Sequence, residues 1–96
     1  MTNVVLINVF EVPAGHDEAF LRGWQAGRDV LRRQPGFVSA RLHQSLDPTA
    51  AFRFVNVAVW QSAEHFRRAV GTPEFQDLVR RMPFSGHPAL YRISAE

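Results

Sequence analysis

The chain has 96 residues, of which 46% are hydrophobic and 21% are charged, so it is long enough for one folded domain and is unlike a disordered chain. All 11 basic residues are arginines, scattered or paired on predicted helices, and the formal charge is only +2, so we expect no nucleic-acid binding. Cysteine is absent, which excludes disulfides, thiolate catalysis and cysteine-bound metal.

The first predicted elements are a strand and a long helix. Residues 4–12 form a strand that is apolar on both faces, which is typical of a strand covered on both sides. Residues 16–34 form a helix, with acidic residues in its first turn and a stripe at helical spacing through Phe20, Trp24, Gly27 and Leu31. Because glycine is unfavourable inside helices, Gly23 and Gly27 indicate a close backbone approach or space for a ligand.

Three further strands are predicted. Residues 37–46 and 51–60 are strands joined by a turn at 47–50, and the second of them is again apolar on both faces. The last strand is placed at residues 90–94. It follows a polar loop that contains Pro83, Gly86 and Pro88.

The segment between the third and fourth strands predicts a helix in two pieces. Ser62 is a good N-cap for the first piece, which continues to about Val70. Gly71 breaks the helix, and Thr72 caps a second piece that opens on a proline and runs to about Arg81. The two pieces together occupy the place of one helix in the chain.

The element order βαββαβ is the ferredoxin-like α+β arrangement, and we expect a single domain over residues 1–96. One layer of helices can cover only one face of the sheet, whereas the strands are apolar on both. A second copy of the chain is the simplest cover, so we expect a homodimer. The chain shows no basic leader and no apolar run near the roughly 20 residues of a membrane span, so we expect a cytoplasmic protein without membrane contact.

Three side chains stand out on the apolar strands. Asn8 lies between Leu6 and Phe10 on its face, where an unpaired buried amide would cost about 1–3 kcal/mol. Asn56 and Trp60 share a face and lie about 13 Å apart along their strand. Each of the three is compatible with ordinary core packing. Together they predict an apolar chamber lined by a few fixed polar groups, as in small-molecule sites.

Motifs for other kinds of chemistry are missing or weak. The sequence has no phosphate-binding loop, no dinucleotide glycine pattern and no nucleophile elbow. The four histidines lack the spacing of metal ligands, so we expect no metal and no other cofactor. His43 and Tyr91, on two strands, are the candidates for general acid or base groups.

Four segments of the chain resemble the antibiotic biosynthesis monooxygenase family. They are INVFEV at residues 7–12, RQPGFV at 33–38, FVNVAVW at 54–60 and AVGTPEF at 69–75. The resemblance runs over nearly the whole chain, and the Asn-x-Ala-x-Trp strand is its most specific part. It implies a dimeric αβ barrel of ferredoxin-like domains.

The resemblance also implies a chemistry. In cofactor-free anthrone oxygenases of the family, an asparagine in the first strand and a tryptophan ending the third match Asn8 and Trp60, and a second asparagine matches Asn56. Carried over, both amides donate hydrogen bonds to the substrate oxygen as an anthrone loses a proton, and Trp60 positions the ring. The enolate then reduces dioxygen directly, without metal or flavin. The substrate-binding residues around them are Phe10, Trp24, His43, Phe54 and Tyr91.

The predicted function is therefore a cofactor-independent monooxygenase that acts on an anthrone, a quinol or a phenol. The haem-cleaving branch of the family is not indicated, because its helix tryptophan and axial histidine correspond to Ala69 and Val79 here. One alternative is a non-catalytic, aromatic-ligand-binding or stress-associated dimer. Another is an isomerase or lactone-processing enzyme that uses His43 or Tyr91 as its acid or base.

Overall fold

The computed structural model describes residues 2–96, which form four strands and three helices. The strands are β1 (Val4–Glu11), β2 (Phe37–Gln44), β3 (Phe54–Trp60) and β4 (Ser85–Tyr91), and the helices are α1 (Asp17–Leu31), α2 (Ala63–Val70) and α3 (Pro73–Arg81). The strands form one antiparallel sheet in the order β2-β3-β1-β4. This architecture confirms the α+β, ferredoxin-like arrangement that the sequence predicts, and it confirms the helix in two pieces.

The helices cover only one face of the sheet. The Cα atoms span 41 × 36 × 16 Å, and the short dimension is the thickness of one sheet with one helical layer. The uncovered face, called the open face below, carries half-buried aliphatic side chains at the centre of the sheet, namely Val5, Ile7, Val9, Val55, Val57 and Val59. Within residues 2–96, no helix is long and apolar enough to cross a bilayer.

Helix α1 is shorter than predicted at both ends. It begins at Asp17, whose carboxylate suits the positive end of the helix dipole, and His16 precedes it without a side-chain cap. The prediction of residues 16–34 was wrong at the C-terminus because residues 32–34 leave the helix in tight turns. The chain then reverses at Gly36, whose φ of +89° favours glycine, and the ring of His65 packs where a Cβ would lie.

Two side-chain caps explain the break between α2 and α3. Ser62 Oγ accepts a hydrogen bond from the N–H of His65 at 3.1 Å, and Thr72 Oγ1 accepts one from the N–H of Phe75 at 3.4 Å. Pro73 opens α3, where its missing N–H has no helical partner to lose. Each cap begins its own helix, as the sequence predicts.

The loop between β2 and β3 is longer than the predicted turn and spans residues 45–53. Its side chains bond within the loop instead of extending the strands. Asp47 Oδ1 accepts hydrogen bonds from the backbone N–H and the hydroxyl of Thr49, at 2.8 and 2.7 Å, and these bonds lower the pKa of Asp47 below its usual value. Arg53 turns towards the start of α1 and pairs with Asp17 at 3.1 Å.

Strand β4 corrects the prediction for the end of the chain. The sequence pattern assigned Gly86 and Pro88 to a loop and placed the strand at residues 90–94, but β4 spans Ser85–Tyr91. Because β4 is an edge strand paired only with β1, a proline is tolerated in it. Pro88 is the register partner of Asn8, so β4 pairs with β1 at the position of that asparagine.

The core between the sheet and the helices is divided into two apolar clusters. The members of the first cluster are Leu6, Ala58, Trp60 and Ala69, and those of the second are Phe10, Phe20 and Phe54. In the second cluster the Phe20 ring centre lies 4.6 Å from that of Phe54 and 4.8 Å from that of Phe10. On β1 and β3, the row between the clusters is occupied by Asn8 and Asn56. The core is therefore interrupted at its centre by polar side chains.

Candidate functional site

Asn8 and Asn56, called the asparagine pair below, lie side by side on the central strands. They are register partners on β1 and β3, and both line a cavity on the helical side of the sheet. Asn56 is only 9% exposed, and Asn8 is half-buried. Strand alternation places both side chains on the face that carries the two apolar clusters, so their amides enter the core and not the solvent.

The cavity lies between the sheet and the helices and has a volume of about 420 Å³. Its sheet side is formed by the asparagine pair with Leu6 and Ala58, and its helix side includes Trp24 and Gly27 of α1 and Phe75 of α3. Most of its other walls are apolar. A cavity of this size with few polar groups suits a small organic molecule.

Four polar atoms of residues that line the cavity are buried and have no hydrogen-bond partner in the described part of the chain: Asn8 Oδ1, Arg28 Nε, Asn56 Oδ1 and Trp60 Nε1. An unpaired buried polar group costs about 1–3 kcal/mol, and folded proteins pair nearly all of them. Four such atoms around a single, largely apolar cavity are the arrangement expected when a ligand supplies the missing partners.

Trp60 is held rigidly at one end of the cavity. It is fully buried, and its ring packs edge-to-face against Phe37 at 5.3 Å and Phe66 at 5.8 Å between ring centres. Its place at the end of β3 brings it between the sheet and α2. The indole therefore offers both a flat apolar wall and a fixed N–H donor.

Glycines provide room on both sides of the cavity. A Cβ at Gly86 would lie 2.9 Å from Asn8 Oδ1 and 2.8 Å from the Phe10 ring, so the side chains of β1 occupy space that only glycine leaves free. On α1, Gly23 and Gly27 both line the cavity, and a Cβ at Gly23 would lie 2.8 Å from Met82 Sδ, so Gly23 leaves room for a neighbouring side chain. A Cβ at Gly27 would lie at an ordinary contact distance of 3.5 Å from the Phe75 ring.

The structure brings most of the predicted site residues to this cavity. Those that line it are Asn8, Phe10, Trp24, Asn56 and Trp60. Phe54 is 1% exposed and stacks under Phe20 in the second apolar cluster, outside the lining. His43 and Tyr91 alternate onto the open face, where both are exposed, and His43 Nδ1 lies 3.3 Å from the carbonyl oxygen of Val55.

Arg28 lines the cavity and was not identified from the sequence. It lies one helical turn after Trp24, and its guanidinium carbon is 5.4 Å from the centre of that ring. Arg28 Nε is buried and has no partner among residues 2–96, while Nη2 donates to Asp29 Oδ1 at 3.2 Å. The signal was present in the spacing, since Arg28 falls on the same stripe as Trp24 and Leu31.

Arg28 is the one charged side chain among the described residues that line the cavity, which also include no histidine. His43 and Tyr91, the acid–base candidates of the isomerase alternative, lie on the opposite face of the sheet. Across residues 2–96, no three His, Asp or Glu side chains are grouped to hold a metal ion. The cavity therefore offers a ligand hydrogen bonds from the two asparagine amides and the Trp60 indole, and one positive charge from the Arg28 guanidinium.

Comparison with known proteins supports the interpretation of the fold. Residues 3–81 match the sequence profile of a family described as antibiotic biosynthesis monooxygenase. The chain belongs to the antibiotic biosynthesis monooxygenase family. The profile spans both asparagines and Trp60, and it ends before β4, the strand that carries Gly86.

Similar proteins include monooxygenases. Tetracenomycin-F1 monooxygenase of Streptomyces glaucescens is 40% identical over 73 residues, which are 74% of this chain and 62% of that protein, so the chain spans less than two thirds of its length. A protein of Shewanella loihica PV-4 superposes with a TM-score of 0.87 at 40% identity, over 99% of this chain and 97% of the other. SnoaB, a cofactor-independent oxygenase from Streptomyces nogalater, superposes with a TM-score of 0.85 at 26% identity, over 100% and 97% of the two chains.

Proposed function

We propose that this protein is a cofactor-independent monooxygenase that oxidises an electron-rich aromatic compound, namely an anthrone, a quinol or a phenol, with dioxygen. The observation that carries the proposal is the set of unpartnered polar atoms from Asn8, Asn56 and Trp60 in one largely apolar cavity. Two similar proteins support it, because one is named a monooxygenase and the other is described as a cofactor-independent oxygenase.

The asparagine pair can bind the reacting oxygen of such a substrate before and after it loses a proton. Each carboxamide carries an acceptor oxygen and an NH₂ donor, and rotation about the last side-chain torsion exchanges their positions. The amide oxygen accepts a hydrogen bond from a phenolic or enolic O–H, and the NH₂ group donates to the anion that replaces it. Donors held in an apolar cavity stabilise developing negative charge more strongly than the same donors would in water.

The anion then supplies the electrons for the reaction with dioxygen. In an anthrone, the ring carbon that bears two hydrogens loses one of them to water as a proton, and the resulting enolate carbon forms a bond to dioxygen, giving a hydroperoxide after protonation. Loss of water from the hydroperoxide leaves a carbonyl group. One oxygen atom of dioxygen enters the product and the other leaves as water, and the substrate supplies all four electrons.

Trp60 positions the substrate in this scheme. Its ring is fixed by Phe37 and Phe66, so it gives the planar substrate a surface of defined orientation. Its N–H group lies on the same strand face as Asn56 and donates to a second substrate oxygen. Stacking on the indole and a hydrogen bond from its N–H together hold the substrate ring in one orientation over the asparagine pair.

Oxygen uptake by metal-free protein with dithranol, a dihydroxyanthrone, tests the proposal. We expect uptake above the spontaneous rate and a fall of about a hundredfold in Asn8→Ala, the effect of removing one donor to an oxyanion. Asn3→Ala changes the same residue type at an exposed position outside the strands and should leave the rate unchanged. Equal, slow uptake by the wild type and Asn8→Ala would refute the proposal.

The non-catalytic alternative gives a different result in the same samples. A binding protein without chemistry would quench Trp24 or Trp60 fluorescence when a planar aromatic compound is added, because both indoles line the cavity. It would show no oxygen uptake above the blank. The two measurements together therefore separate binding from turnover.

We also propose that two copies of the chain associate through the open face. The centre of this face is a block of valine and isoleucine on β1 and β3, and its edges are polar, with His87 Nε2 and Glu11 Oε2 2.9 Å apart on one side and Arg41 on the other. An apolar centre with a polar rim is the pattern of a protein interface. A second copy fits it because a two-fold axis pairs the same patch with itself.

Sedimentation velocity tests the association. The wild type should sediment with the mass of two chains, and Val57→Arg, at the centre of the open face beside Ile7, should sediment as one. Leu46→Arg adds the same charge at a fully exposed position of the β2–β3 loop and should remain a dimer. A monomeric wild type, or a dimer that survives Val57→Arg unchanged, would contradict this interface.

A further inference from the structure

We infer that Arg28 binds a carboxylate on the ligand, so that the cavity favours planar aromatic acids over their neutral analogues. The identity of the ring system rests on the proposed function, but the role of Arg28 concerns binding and not turnover. Arg28 lies on α1, on the stripe of residues that faces the sheet, and it lines the same cavity as the asparagine pair. It is thus placed to contact a substituent of the molecule whose ring meets Trp60.

The guanidinium of Arg28 has hydrogen-bonding capacity that the described part of the chain leaves unused. Its Nε is buried without a partner in the described chain, although its side chain is 36% exposed as a whole. Its Nη2 donates to Asp29 Oδ1 at 3.2 Å. The Trp24 ring, 5.4 Å from the guanidinium carbon, supports the group from one side. Arg28 therefore lines the cavity with one donor paired to Asp29 and another left unpaired.

The charge of Arg28 is only partly balanced. Asp29 Oδ1 is 3.2 Å from Arg28 Nη2 and 3.7 Å from Arg32 Nε, so two guanidinium groups share one carboxylate. Among residues 2–96, no carboxylate lines the cavity, so none balances the positive charge from that side. The cluster of Arg28, Asp29 and Arg32 thus keeps one net positive charge next to an apolar space, which favours an anionic ligand.

A carboxylate is the anion that fits this position best. The planar fork of a guanidinium matches the two oxygens of a carboxylate, and such charge-assisted pairs are among the stronger hydrogen bonds in proteins. A phosphate carries more charge and would need further cations or backbone N–H groups, whereas the remaining lining of this cavity is uncharged. One guanidinium in an apolar setting balances a single negative charge.

Fluorescence titration at pH 7.5 with two ligands tests the inference. The ligands are 1,8-dihydroxyanthraquinone and its 3-carboxylic acid, which differ only in the acid group, and quenching of Trp24 and Trp60 reports binding. We expect the wild type to bind the acid more tightly, and Arg28→Gln to reduce that preference by about tenfold or more. Arg32→Gln also removes a partner of Asp29 but does not line the cavity, so it should keep the preference.

Each other outcome has a defined meaning. If the wild type binds neither ligand or binds both equally, or if the preference for the acid survives in Arg28→Gln, the inference is wrong. If Arg28→Gln bound the neutral ligand and the acid more weakly by the same factor, Arg28 would have only a packing role. That result would also overturn the inference. A protein that prefers the acid but consumes no oxygen would refute the proposed monooxygenase activity and leave the role of Arg28 intact.

Discussion

Replacement of Asn56 by leucine should stabilise the protein while it removes activity. Asn56 is 9% exposed and its Oδ1 has no partner among the described residues, so the folded state carries an unpaired buried acceptor. Removal of such a group recovers about 1–3 kcal/mol, and the larger leucine side chain can extend into the cavity of about 420 Å³. Some strain offsets this gain, so we expect Asn56→Leu to raise the free energy of unfolding by about 1–2 kcal/mol.

Urea unfolding followed by tryptophan fluorescence measures this change. Protein concentration must be held constant, because association would make stability depend on it. In a domain of this size, 1 kcal/mol corresponds to about 4–8 °C in Tm, which is easily resolved. Oxygen uptake with dithranol should fall by about a hundredfold in the same variant.

Asn3→Leu is the matched control for this prediction. It makes the same chemical change at an exposed position outside the strands, and its free energy of unfolding should stay within about 0.5 kcal/mol of the wild type. If Asn56→Leu instead lost more than about 1 kcal/mol, the amide of Asn56 would be holding the fold together through bonds that leucine cannot make. The reasoning from unpaired atoms to ligand binding would then be refuted.

Three further substitutions test local features of the structure. Gly86→Ala should lower the free energy of unfolding by about 1–2 kcal/mol and weaken ligand binding, because the new Cβ would come within 2.9 Å of Asn8 Oδ1. Gly27→Ala should stabilise the protein by about 0.5–1 kcal/mol in the same urea assay, since helix propensity improves and the Cβ meets Phe75 at only 3.5 Å. Ser62→Ala removes the cap of α2 and should cost about 1 kcal/mol, with ligand binding unchanged. If any of the three variants had the same free energy of unfolding as the wild type, the structural feature on which that prediction rests would be contradicted.

The fold could be predicted from the sequence wherever hydrophobic periodicity and capping residues agree. The two-piece helix is the clearest case, because Ser62 and Thr72 each begin a helix by satisfying backbone N–H groups. Strand β4 could not be predicted, because Gly86 and Pro88 carry turn signals that hide it. Its position is fixed by pairing with β1, which is a tertiary effect that no local pattern contains.

The site was predictable to the extent that strand alternation controls it. Because side chains alternate along a strand, the sequence alone shows that Asn56 and Trp60 share a face. The position of Asn8 beside Asn56 depends on the register between β1 and β3, which the sequence does not show. Phe54 shares the face of Asn56 yet lies outside the cavity lining, because the ring of Phe20 covers it. Arg28 was missed because a charged residue on an apolar stripe is ordinarily a surface group whose stem packs against the core.

The asparagine pair also affects how a protein of this kind can diverge. Asn8 and Asn56 belong to neither of the two apolar clusters on either side of them, so these two positions can change while the members of each cluster stay in contact. Substitutions at Asn8, Asn56 or the cavity-facing positions of α1 would alter which molecule is bound while the sheet and its helices persist. A duplicated copy of this chain could therefore acquire a new substrate in a few steps, and its ancestry would remain visible in the clusters that did not need to change.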